Sequence, residues 1–176
     1  MERKLTILRP FFEDPQRKLS MRELSRMLRI NHTTVRQHLN MLAKEGLLSS
    51  KKEGVYCFYR FVLSKKMLNL KLYYNLEKMR DSHLIEDLEK AYDLPAIVVF
   101  GSYAAARDDA GSDIDICLIS NVEKEFPTEK YEKGLNRKIS LHIFSKDSWG
   151  KAKRSNPHLI NSICNGIVLS GELAVL

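Results

Sequence analysis

The stretch "AIVVFGSYAAARDDAGSDIDICLIS", residues 96–120, constrains the fold more than any other. Ala96 to Phe100 form a short, wholly apolar run, the pattern of a strand covered on both faces. The run stops at Gly101-Ser102, a polar loop follows, and Asp113 and Asp115 then stand one residue apart in a second apolar run. A strand repeats every second residue, so the two carboxylates share one side while Ile114 and Ile116 point into a core. Like charges so placed repel, and burial raises their pKa values. A divalent cation relieves the repulsion, and oxygen-only ligands select Mg²⁺ or Mn²⁺ over zinc. The plainer alternative is an edge strand with its polar side in water, but Ile116 to Ile119 continue too apolar for an edge.

"GSYAAA", residues 101–106, predicts a short helix directly after the first strand, where glycine lets the backbone approach a ligand and free N–H groups face an anion. A helix over 82–93 precedes this region. After it, "RKISLHIFS" (137–145) alternates as a strand with Ser140 and His142 on one face and Ile139, Leu141 and Ile143 on the other. Asp147 then reads as the cap of a helix over 147–154.

The first half has a different grammar. Residues 3–12 predict a helix ended by Asp14-Pro15. Ser20 and Glu23 form a capping box for a second helix, whose Met21, Leu24 and Leu28 face a core. "INHT" is a turn, and residues 33–46 form a third helix stopped by Gly46. Val35, Leu39 and Leu42 line one side of it; Thr33, Arg36, Gln37, Asn40 and Lys44 line the other, with no carboxylate among them. Such side chains bind phosphates or read base edges. Residues 47–63 predict two strands around a basic tip, Lys51 to Gly54. His32 and His38 lack partners at metal-ligand spacing, and His38 reads as a satisfied, partly buried histidine. Residues 64–80 are helical in period with a wide apolar arc (Met67, Leu68, Leu70, Leu72, Tyr73, Leu76, Met79) that both domains or a second copy must cover.

Charge divides the chain in the same place. Residues 1–80 carry 18 Lys and Arg against 7 Asp and Glu, a net +11, whereas residues 81–176 carry 11 against 15, a net −4. The first part therefore suits a polyanion. No apolar run approaches membrane-spanning length, so no membrane association is expected; the N-terminus lacks a secretory h-region. Cys57, Cys117 and Cys164 are widely spaced, which argues against a disulfide framework or structural zinc and for a cytoplasmic location.

Helix, helix-turn-helix and basic hairpin in this order resemble the winged helix-turn-helix family of DNA-binding domains over residues 3–63. The resemblance implies double-stranded DNA as partner, with Thr33, Thr34, Arg36, Gln37 and Asn40 in the major groove and Lys51 and Lys52 on phosphates. Gly101-Ser102 followed by Ser112-Asp113-Ile114-Asp115 resembles the signature of the DNA polymerase β-like superfamily, closest to its minimal nucleotidyltransferases, over about residues 82–172. That resemblance implies that Gly101, Ser102 and Ser112 hold a nucleoside triphosphate, with ATP the expected nucleotide. Asp113 and Asp115 would hold Mg²⁺, and a nucleoside monophosphate would pass to an acceptor hydroxyl. The family's third carboxylate has no counterpart on 137–145, where His142 is the candidate base, and alanine stands at 106 where the family often has glycine. Two readings stay open: an active transferase, or a nucleotide-sensing regulator or antitoxin-like protein with weakened chemistry. A protein or toxin acceptor and a homodimer are partners the resemblances allow. The expected fold is α+β: a winged helix-turn-helix domain (1–63), a helical linker (64–81), and a mixed sheet flanked by helices (82–176).

Overall fold

The computed structural model describes residues 2–173. The chain is α+β and forms two compact units divided between Tyr74 and Asn75, a point inside helix α4 (Lys65–Asp81).

Unit 1 opens with α1 (Glu2–Glu13), followed by β1 (Leu19–Ser20), α2 (Met21–Leu28), α3 (His32–Lys44), β2 (Leu48–Glu53) and β3 (Tyr56–Phe61). Its antiparallel sheet has the order β1-β3-β2. The capping box of α2 is present: the Ser20 N–H donates to Glu23 at 2.7 Å, and the Glu23 N–H donates to Ser20 Oγ at 3.3 Å. The Ser20 N–H, and the Ser20 hydroxyl that also donates to Glu23 Oε2 at 2.7 Å, hold the Glu23 carboxyl below the usual range. Helix α3 begins one residue earlier than expected, because the Asn31 side chain accepts from the Thr33 N–H at 2.8 Å and caps it. Val35, Leu39 and Leu42 are fully buried against Phe11, Leu24 and Leu47. The hairpin differs from expectation. Lys51, Lys52 and Glu53 pair within β2, and the connection is only Gly54-Val55, with Gly54 at φ +61°.

The apolar arc expected of α4 is found in part: Met67 and Leu70 join the core of unit 1, and Leu76 and Met79 that of unit 2. Its fully buried positions recur every fourth residue, at Met67, Lys71, Asn75 and Met79, so two are polar, while Tyr73 is exposed.

Unit 2 contains α5 (Leu84–Ala91), β4 (Ala96–Phe100), α6 (Gly101–Ala104), β5 (Ile114–Ile119), α7 (Glu129–Leu135), β6 (Ile139–Phe144), α8 (Lys146–Ser155), α9 (Pro157–Cys164) and β7 (Ile167–Ser170). The sheet order is β6-β5-β4-β7. β4 runs antiparallel to β5 and β7, and β5 runs parallel to β6, so the sheet is mixed and β5 is an inner strand. Alternation sends Ile97, Val99, Ile114 and Ile116 into one core with Leu84 and Leu88. Val98, Phe100 and Cys117 enter a second core with Trp149, Ile160 and Ile163. Both faces of β4 are thus covered. Ser145 caps α8 through a box with Ser148, and Asp147 is only an exposed first-turn residue, which corrects its expected role. A hydroxyl one residue outside the helix reaches the N3 amide; a side chain already inside the first turn cannot. No helix among the described residues is long and apolar enough to cross a membrane.

Candidate active site and nucleic-acid face

The antiparallel register pairs Phe100 with Asp115, so the glycine that follows Phe100 meets that carboxylate. Gly101 has φ +71°, and a Cβ added there would sit 2.5 Å from Asp115 Oδ2. Only glycine fits, on both counts. Ser102 follows at the half-buried start of α6, a single four-residue turn. The chain then turns through Ala106, which holds φ +53° although it is not glycine. An L-residue pays about 1 kcal/mol for that conformation.

Strand β5 begins at Ile114, so Asp113 sits just outside it, exposed, while Asp115 is half-buried within it. The carboxylates nevertheless feel each other. Asp115 is pushed above the ordinary carboxyl range, first by burial and further by the charge of Asp113, with His142 opposing. The parallel β5–β6 register sets Ser140 beside Asp115 and His142 beside Cys117. His142 Nε2 lies 3.9 Å from Asp115 Oδ1 and 3.3 Å from Ser140 Oγ, and its ring packs 5.3 Å from that of Phe100. Gly101, Asp115, Ser140 and His142 are therefore one cluster, with Asp113 at its rim. Ser112 is engaged otherwise: its hydroxyl donates to Asp109 Oδ1 and accepts from the Asp109 N–H, each at 3.0 Å. Asp109 also accepts from the Gly111 N–H, which holds its carboxyl below the usual range.

Among the described residues no three His, Cys, Asp or Glu side chains gather as a metal-binding group. The pair Asp113 and Asp115 fits a hard divalent cation by donor chemistry: oxygen-only ligands, mutually repelling, beside a glycine that leaves room for a further anion. Several residues around this site went unread in the sequence. Asn75 Nδ2 donates to Asp108 Oδ1 at 2.9 Å and to the Tyr103 carbonyl at 3.1 Å, and the Tyr103 hydroxyl returns to the Asn75 carbonyl at 3.2 Å. Arg137 pairs with Asp108 at 3.5 Å, both side chains 2% exposed.

In unit 1, Thr33, Arg36, Gln37 and Asn40 are exposed along α3, and Lys51 and Lys52 are exposed on β2. Thr34 is half-buried instead, in a recess of about 270 Å³ with Arg3, Arg29 and His38. His38 is partly buried as expected, but its Nδ1 has no hydrogen-bond partner among the described residues. A groove of about 450 Å³ joins Arg36 and Asn40 to Arg22, Tyr56 and Tyr59. Arg22 stands 6.0 Å from the Tyr56 ring centroid, a loose cation–π pair.

Residues 2–50 match the family model described as bacterial regulatory protein, arsR family, and residues 82–163 match the nucleotidyltransferase domain. A solved structure described as a possible transcriptional regulator from Methanosarcina mazei Go1 is similar at 16% identity, over 51% of this chain and 78% of its own, with a TM-score of 0.37. No curated protein matches the chain. One polypeptide thus carries a match to the ArsR-type helix-turn-helix model in its first half and a match to the nucleotidyltransferase domain model in its second.

Proposed function

We propose that unit 2 binds a nucleoside triphosphate with Mg²⁺ or Mn²⁺ and transfers its nucleotidyl group to an acceptor hydroxyl, while unit 1 binds double-stranded DNA. The observation that carries the first part is the meeting of Gly101 with Asp115, which brings an anion-tolerant backbone turn and a carboxylate to one point. Asp113 and Asp115 would hold the cation, which when bound neutralises the phosphates and the developing charge on the leaving pyrophosphate. Gly101 would leave the backbone open to the triphosphate, and the Ser102 hydroxyl would donate to a phosphate oxygen. His142, buttressed by Phe100 and within reach of Asp115, is the group on β6 able to take a proton from the acceptor. ATP is the nucleotide we expect. The DNA part rests on the acid-free exposed face of α3 and the net +11 of residues 1–80.

A second reading is supported by β6. It offers Ser140 and His142 beside Asp115 and no carboxylate, which suits a regulator that senses a nucleotide without transferring it. Calorimetric titration of ATP with and without Mg²⁺, on the wild type and on Asp113→Ala/Asp115→Ala, tests what both readings share. Metal-dependent binding should occur and should be lost in the double variant; binding indifferent to metal or to the two aspartates refutes both. Release of labelled pyrophosphate in the presence of an acceptor separates transfer from sensing.

A further inference from the structure

Three segments carry the candidate site: α6, with Gly101 and Ser102; the loop from Ala105 to Asp113; and β6, with Ser140 and His142. They meet in a buried polar knot behind the site. Asp108, 1% exposed, lies midway along the loop; Arg137, 7% exposed, lies two residues before β6; Asn75, 2% exposed, links Asp108 to the Tyr103 carbonyl in α6. Arg137 also lines, with Gly111, Ser112 and Asp113, a polar cavity of about 470 Å³, so one partner of the ion pair shares a wall with Asp113.

Asp113 is tied to the sheet on one side only, through the Ile114 N–H that donates to the Lys138 carbonyl at 2.8 Å, since β5 starts one residue later. Its place therefore depends on the loop, which is stapled internally by Asp109 and Ser112 and moored to the body of the unit by Asp108. A carboxylate that must share a cation with Asp115 needs its backbone held to a few tenths of an ångström, and buried charged hydrogen bonds supply that directionality where apolar packing does not. We propose that the Asp108–Arg137 ion pair, with Asn75, is a positioning device that sets the spacing of Asp113 and Asp115 for the cation. This rests on the reading of those aspartates as cation ligands.

Titration of the full-length protein with Mn²⁺, followed by electron paramagnetic resonance, tests it. Wild type should show a site that Asp113→Ala abolishes. Asp108→Val/Arg137→Met replaces the pair by apolar groups and leaves Asn75 its bond to the Tyr103 carbonyl, a change that buried ion pairs commonly tolerate without loss of stability. This variant should keep the thermal midpoint of the wild type yet bind Mn²⁺ about tenfold more weakly or worse, and amide exchange should rise at Gly111 and Ser112 while that of Val98 and Val99 stays slow. Mn²⁺ affinity within twofold of wild type in the folded variant overturns the proposal. Should that variant not fold, Asp108→Asn, which keeps the shape and loses the charge, decides by the same criterion. A wild type with no Asp113-dependent Mn²⁺ site defeats the ligand assignment itself, and the positioning role with it; a wild-type site that persists unweakened in the variants defeats only the latter.

Discussion

Helix α3 and strand β5 both present polar side chains beside a buried apolar face, by opposite means. On α3 a single element supplies Thr33, Arg36, Gln37 and Asn40 along one exposed face, and the buried face needs only Val35, Leu39 and Leu42. On β5 one side chain, Asp115, draws its surroundings from β4, α6 and β6 as well. A surface written on one helix degrades residue by residue. A site assembled where several segments converge fails when any of them shifts.

Glycines sharpen the contrast and give the largest expected effect. A Cβ at Gly166 would lie 2.5 Å from the Val99 carbonyl and 2.9 Å from that of Ile163, whereas at Gly54 in unit 1 nothing lies within 4 Å. Gly166→Ala should destabilise unit 2 by about 3 kcal/mol through overpacking against backbone. Gly54→Ala should cost about 1 kcal/mol, its left-handed strain alone. Trp149 is the only tryptophan and lies in the second core of unit 2, so urea unfolding followed by its fluorescence reads the first variant directly. Equal effects of the two changes would break the comparison.

Next in size is the helix face. Arg36→Ala should weaken binding to duplex DNA about tenfold and lower the slope of log affinity against log salt by about one. Fluorescence anisotropy across a salt series measures both; an unchanged slope would remove Arg36 from the phosphates.

Asp115 offers a smaller effect with a definite sign. Its folded-state pKa is raised, so the stability it contributes is complete below the unfolded carboxyl range and is lost as pH rises through the folded value. Ionised at neutral pH, it costs the cation-free protein stability. Asp115→Asn should therefore raise the thermal midpoint at neutral pH, with little effect in acid where the native carboxyl is already protonated. A lower midpoint at neutral pH would show that the carboxylate is stabilised by its neighbours. The smallest change is expected at Leu94, exposed and held at φ +52° before Pro95. Leu94→Gly should gain about 0.5–1 kcal/mol, relief of left-handed strain less the entropy glycine adds to the unfolded chain, as chemical denaturation can check.

What the sequence disclosed follows the range of the forces involved. The capping box at Ser20 and Glu23, the buried stripe of α3 and the alternation of β4 and β5 are local, and each is found as expected. The closeness of Gly101 to Asp115 was implied by the resemblance to the nucleotidyltransferases and is realised by strand register. The Asp108–Arg137 pair was not legible, because two oppositely charged residues 29 positions apart look like ordinary surface charges until the fold closes over them. The bond that Ser112 makes was not legible for a related reason: a serine before two aspartates is equally suited to a ligand and to a loop bond, and here its hydroxyl meets Asp109. The wing tip slipped because the Lys-Lys-Glu run resembles a turn, yet β3 was long enough to pair all of it.

The parallel joining of β6 to β5 has a consequence for how the molecule is made. Gly101 and both aspartates come from β4, β5 and the loop between them, an antiparallel pair near in sequence that can close early. His142 and Ser140 lie on an edge strand that arrives only after residues 120–138 have crossed over, the slower kind of closure. A growing chain therefore passes through a stage in which both acids are assembled and the histidine is still missing, and its outer strand is the natural place for unfolding to begin.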